Sequence, residues 1–272
     1  MHPVSAPRVM RTASRASNSP ATHFVARAGL TARGFIYILI GWVAVLVALG
    51  HSSREADQEG ALQLLAGTSY GLVSLWLLGL GFAAYALWRL SVAAFGGTGE
   101  PGAGPRLKSL ARAVIYAGLC YLTFTVIAGT ARSQSGHQQD ITAAAMQHTA
   151  GRALVGLVGL AVVACGIALV VEGARKKFMK HLRTTQMRAR MRRVVELLGT
   201  TGTIARGLVF ALAGVLIIDA AVTRKASESG GIDKALLTLR NQPFGEFLMF
   251  LAALGLLIFG AYGLCEARWR KT

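Results

Sequence analysis

Acidic side chains are scarce in this 272-residue chain: 12 Asp and Glu stand against 29 Lys and Arg, for a net charge of +17. Charged residues of both signs reach only 15%, while 53% of residues are hydrophobic. That balance excludes an ordinary water-soluble domain. Cysteine is rarer still. Cys120, Cys165 and Cys265 are odd in number and no two share ligand spacing, so neither a disulfide framework nor a zinc site is expected. The six histidines (His2, His23, His51, His137, His148, His181) avoid the interiors of the apolar stretches, which disfavours a membrane b-type haem. No Gly-rich phosphate loop, His-Glu-x-x-His or Gly-x-Ser-x-Gly motif occurs. No catalytic residue, metal ligand or cofactor is therefore assigned.

What the chain does have is six apolar runs, at 34–53, 60–88, 113–131, 153–171, 207–222 and 247–265. Only Asp219 places a charge inside one of them. A helix needs roughly 20 predominantly apolar residues to cross the hydrocarbon core, so each run spans or nearly spans it. The reading is an all-α, polytopic membrane protein with six transmembrane helices. Residues 1–23 are polar and basic without the apolar core of a secretory signal, and are expected to form a disordered tail.

The basic charge is unevenly shared. If the N-terminus, the loops after runs two and four, and the C-terminus lie on one side, that side holds 22 of the 29 Lys and Arg. The positive-inside rule then places both termini in the cytoplasm, with the protein multi-pass in the membrane. The surplus charge thus reads as topology and membrane contact, and no nucleic acid is expected as a partner.

The six runs form three look-alike pairs. Ala32-Arg33-Gly34-Phe35, Ala111-Arg112-Ala113-Val114 and Ala205-Arg206-Gly207-Leu208 open the first helix of each, with an aromatic following in register at Tyr37, Tyr116 and Phe210. Further along the second helices, Ala86, Gly166 and Gly260 coincide. The resulting organisation is a tail (1–23), repeat 1 (24–95), a Gly/Pro linker (96–107), repeat 2 (108–180), a basic cytoplasmic loop (181–193) and repeat 3 (194–272). Two spans per unit make the three helical hairpins parallel, related by a pseudo-threefold axis along the membrane normal. Each outer loop carries a short apolar pattern, at 61–65, 141–146 and 232–239, that predicts a short amphipathic helix on the outer interface or folded back onto the bundle.

The Ala-Arg-Gly opening, Pro243-Phe244-Gly245, and the ending Phe259-Gly260-Ala261-Tyr262 with Glu266-Ala267-Arg268 resemble the bacterial membrane family catalogued as the domain of unknown function 1206. The resemblance covers roughly residues 24–271 and implies three tandem two-helix units, without supplying an activity. Two departures stand out: Val92 occupies the place of Glu172 and Glu266, and Thr149-Ala150-Gly151 replaces Pro-Phe-Gly in the second unit.

Charges at span margins are the candidate site residues, because ionisable groups in lipid are costly and often functional. Arg33, Arg112 and Arg206 begin the first helices, while Glu172 and Glu266 end second helices. Ends of an antiparallel hairpin lie at one depth, which predicts the in-unit ion pairs Arg112–Glu172 and Arg206–Glu266. Snorkelling of the arginines to head groups is the plainer alternative, and a charged ring at a pore or lipid site is the lesser reading. Asp219 reads as a boundary residue, with a proton or cation site as the lesser reading. Lys176, Lys177, Lys180, Arg183, Arg188, Arg190, Arg192 and Arg193 form the densest basic cluster, expected to contact anionic lipid head groups. Glycines along the second helices read as close helix packing.

The few polar residues expected at mid-depth (Ser74, Thr123, Thr125) favour packing over conduction. The leading expectation is a noncatalytic integral membrane protein acting as a scaffold or binding an unidentified membrane protein partner. A small channel or transporter with a path along the three-repeat axis is the alternative, and an intramembrane enzyme a weaker third.

Overall fold

The computed structural model describes residues 20–51, 55–95, 103–130 and 133–270, and among these it is all-helical in architecture. A long–short–long rhythm runs through it three times: α1 (Pro20–Ala48), α2 (Gln58–Ala66), α3 (Gly71–Phe95); α4 (Ala103–Ile127), α5 (Gln134–Met146), α6 (Thr149–Ala174); α7 (Ala189–Thr223), α8 (Gly231–Arg240), α9 (Gly245–Trp269). The six long helices are long and apolar enough to cross a membrane. The short helices expected between the two spans of each unit are α2, α5 and α8. Of the expected tail, 1–19 lie outside the described residues and 20–23 are already helical. Likewise 96–102 of the linker lie outside them, while α4 starts at Ala103.

The three units stop their first helix in the same way. Gly50, Gly129 and Arg224 take left-handed backbone (φ 72°, 68° and 60°). The next residue's N–H then reaches back five positions, as in His51 to Leu46, Thr130 to Thr125 and Lys225 to Ala220. This closes orphan carbonyls that lipid or interface could not satisfy. Asp57 and Ser133 cap α2 and α5 by accepting the N–H of Gly60 and Gly136, at 3.0 and 2.9 Å.

Packing departs from the simple hairpin. The most extensive helix contacts are α3 with α4, α6 with α7, and α9 with α1, so each second helix packs on the first helix of the next unit and the last unit closes on the first. Contact within a unit is weaker: α7 with α9 is substantial, α1 with α3 modest, and α4 with α6 is not a packed pair.

Glycine explains two of the three tight seams. A Cβ added to Gly166 would lie 2.7 Å from the Gly207 carbonyl oxygen, and one added to Gly159 would lie 3.0 Å from that of Gly214. On the other seam, a Cβ at Gly34 would meet the Gly260 oxygen at 2.9 Å and one at Gly41 the Ala253 oxygen at 3.0 Å. Each seam thus spaces its small residues seven apart on antiparallel helices, where backbone contact supplies the attraction that lipid cannot. The α3–α4 seam uses rings instead, with Tyr85–Tyr116 centroids 4.3 Å apart and Phe82–Tyr116 at 5.9 Å.

A polar belt joins the units through the segments around α2, α5 and α8. The Asp233 carboxylate of unit three accepts the Ala56 N–H of unit one at 2.7 Å. Glu55 of unit one accepts the Ser133 hydroxyl and the Ser135 N–H of unit two. The Ser135 hydroxyl in turn donates to the Gly230 carbonyl of unit three at 3.3 Å, which completes the circle.

Candidate functional site

The arginines that open the first helices sit well inside them. Arg33 and Arg112 lie 15 residues before the C-terminal ends of α1 and α4, about 22 Å at 1.5 Å per residue. In a hydrocarbon layer roughly 30 Å thick, that distance sets them toward the opposite boundary. Each precedes an aromatic by one helical turn: Arg33 with Tyr37, Arg112 with Tyr116, Arg206 with Phe210.

The three arginines have different surroundings. Arg33 is ion-paired with Glu266, whose second oxygen takes Arg270. The Arg33 guanidinium also lies 5.7 Å from the Phe259 ring centroid. Arg206 is enclosed by rings, 5.0 Å from Tyr37, 5.0 Å from Phe210 and 4.7 Å from Phe259. Stacking on π faces replaces part of the hydration such a cation gives up. Arg112 is exposed and makes no ion pair among the described residues.

These contacts correct the in-unit pairing. Glu266 faces Arg33 across the α9–α1 seam rather than Arg206 on its own unit, and Glu172, half-buried at the end of α6, does not pair with Arg112. The physical reason is the packing order. The helix that touches the end of α9 most closely is α1, and α4 and α6 diverge. Sequence reasoning also missed Arg89 and Arg270. Arg89 donates to the Tyr85 hydroxyl through both Nε and Nη2 (3.0 and 2.8 Å) and stacks 4.4 Å from the Trp88 ring. The four-residue Tyr85–Arg89 and Glu266–Arg270 spacings were the available signals.

Asp219 is exposed four residues before the end of α7, and its carbonyl accepts the Thr223 hydroxyl. In the basic segment, Lys177, Lys180, Arg188, Arg190, Arg192 and Arg193 are exposed, Arg183 is half-buried and Lys176 pairs with Glu196. This segment is docked rather than free-standing. Phe178 and Leu182 are buried, Phe178 meets Tyr262 edge to face at 5.1 Å, and the Arg183 N–H donates to the Trp269 carbonyl at 2.8 Å. Residues 189–193 of the expected loop are the first turns of α7.

In the polar belt four carboxylates crowd together. Asp57, 3% exposed, is pushed up to about 7 by burial, with repulsion from Glu55, Asp233 and Glu59 adding to it against the Gly60 hydrogen bond. Burial also raises Asp233, although the Ala56 N–H favours its charged form.

The family described as "Domain of Unknown Function (DUF1206)" matches this chain three times, over residues 28–96, 107–176 and 201–270. "Uncharacterized protein YxxB" of Bacillus subtilis (strain 168) is 29% identical over 244 residues, which is 88% of each chain. No solved structure matches.

Proposed function

Because the chain belongs to the DUF1206 family, described only by its unknown function, we propose from its geometry that it is a noncatalytic, partner-binding scaffold of the bacterial plasma membrane. The observation that carries this reading is the unmade contact between α4 and α6. These neighbours in sequence are each 17% buried along their apolar windows, against 56% for α1, and they do not form a packed pair. Their exposed Val114, Ile115, Leu157 and Leu160 offer an apolar face to a transmembrane helix of another protein. Both termini lie in the cytoplasm, a placement supported by the one-sided Lys and Arg distribution.

The apolar character of the enclosed side chains favours packing over conduction. Ile40, Val43, Phe82, Met249 and Leu256 are fully enclosed, and the Thr123 hydroxyl spends its hydrogen bond on the Leu119 carbonyl of its own helix. Photo-crosslinkers at Ile115 and Leu157 in native membranes are expected to capture one and the same membrane protein. Equivalent probes at Leu208 and Leu251, exposed on α7 and α9, are expected to capture none. Indiscriminate labelling from all four positions, or solute flux through reconstituted liposomes, would overturn the reading.

A further inference from the structure

The pairing of units makes one arginine exceptional. Glu266, at the end of α9, neutralises Arg33 on the first helix of the following unit. The same position at the end of α3 is Val92, and the helix packed there is α4, which carries Arg112. Arg112 is therefore the first-helix arginine whose neighbouring unit supplies no carboxylate. Tyr85 and Tyr116 touch across this seam. Because α3 and α4 are antiparallel, Arg89 (four residues after Tyr85) and Arg112 (four before Tyr116) both stand one turn below that contact, on the cytoplasmic side. Arg33 and Arg270 add positive potential at Arg112, and Glu266 is already shared between them. The Nε of Arg33 and the indole N–H of Trp88 are buried donors with no hydrogen-bond partner. The cluster thus has an excess of donors and of positive charge near one boundary of the hydrocarbon layer, from which long arginine side chains reach lipid phosphates.

We propose that Arg112 and Arg89, with the Trp88 indole beside them, bind the phosphoryl head group of an anionic phospholipid at the cytoplasmic end of the α3–α4 seam. The lipid supplies the negative charge that Glu266 supplies to Arg33. Guanidinium and indole N–H groups donate to phosphate oxygens, which accept without needing a proton. Access comes from the bilayer itself. Arg112 is exposed on α4, where Leu107, Leu110, Val114 and Ile115 are exposed beside it to receive acyl chains. Residue 92 is thereby a specificity position: valine leaves room for an external anion, and glutamate would fill its role from within the chain.

The test uses the full chain in mild nonionic detergent, followed by native mass spectrometry and thermal unfolding. Phosphatidylglycerol, phosphatidylcholine or inorganic phosphate is added in turn. Wild type is expected to retain one phosphatidylglycerol and to be stabilised by it, with phosphatidylcholine and inorganic phosphate much weaker. Arg112→Gln removes charge-assisted bonds and is expected to weaken retention roughly tenfold or more. Val92→Glu is expected to weaken it similarly while raising the stability of the lipid-free protein, a gain that a merely misfolded variant could not show. Unchanged retention in both variants would overturn the proposal. So would retention lost only when Lys177, Lys180, Arg188 and Arg190 are neutralised. Full protection by inorganic phosphate, with phosphatidylglycerol adding nothing, would overturn the lipid as its source.

Discussion

Replacing Asp57 by Asn isolates the electrostatics of the polar belt. The Asp57 carboxylate caps α2 through the Gly60 N–H, yet it is buried and faces Glu55, Asp233 and Glu59. Burial prevails over the cap, and the group titrates near 7 rather than 3.8. A folded-state value above the unfolded one means that the protonated form favours the fold. That contribution is complete below about pH 4 and is lost as pH rises through about 7. At 1.36 kcal/mol per pH unit, ionised Asp57 opposes folding by about 2 kcal/mol at pH 5 and about 4 kcal/mol at pH 8. Asparagine keeps an acceptor oxygen for Gly60 and never ionises, and the two residues are equivalent as helix caps. Asp57→Asn is therefore expected to be more stable than wild type, by a margin that widens from about pH 5 to pH 8. Thermal unfolding in detergent, followed by circular dichroism across that range, measures the margin. A margin that shrinks or reverses as pH rises would refute the reasoning, because it would mean that the belt holds Asp57 as a favoured anion.

Other expectations follow from the seams and the arginine cluster. Gly166→Ala drives a methyl group into the backbone at Gly207 and Ala211, and is expected to lower stability by roughly 1–3 kcal/mol, whereas Gly81→Ala meets open space and should be neutral in the same melting assay. Glu266→Gln leaves Arg33 and Arg270 without their shared carboxylate, and a loss of about 3–5 kcal/mol in a denaturant titration is expected. Arg206→Gln is expected to be destabilising through loss of its three ring contacts, by about 1–2 kcal/mol, with Arg206→Lys intermediate. Asp219→Asn, at an exposed position, should leave the melting curve where it is.

The architecture was legible because its signals are local. Length and apolarity mark the spans, and Ala-Arg-Gly with its following aromatic marks the repeat. The short patterns at 61–65, 141–146 and 232–239 fall in the three short helices α2, α5 and α8. Partner choice was not legible. Identical parity and similar faces allow a second helix to pack on its own unit or on the next one, and nothing in the local pattern of 247–265 says that its neighbour is α1. The Arg33–Glu266 pair spans 233 positions for that reason. The ring cage around Arg206 was hidden likewise, since Tyr37 and Phe259 come from two other helices. The polar belt depends on Asp233 meeting Ala56 and Glu55 meeting Ser133, and no periodicity records such distant pairings.

The closure of the last helix on the first is tested most directly by cysteine cross-linking in native membranes. In a chain with Cys120, Cys165 and Cys265 changed to Ala, Gly34→Cys with Gly263→Cys is expected to form a disulfide on mild oxidation. A Cβ added at Gly263 lies 2.8 Å from the Gly34 Cα, near the reach of such a bond. A cross-link between α1 and α9 would place the ends of the chain side by side on one face of the bilayer. Its absence, in a protein that still inserts, together with ready cross-linking of Ala113→Cys to Gly166→Cys within the second unit, would contradict the cyclic order of the units.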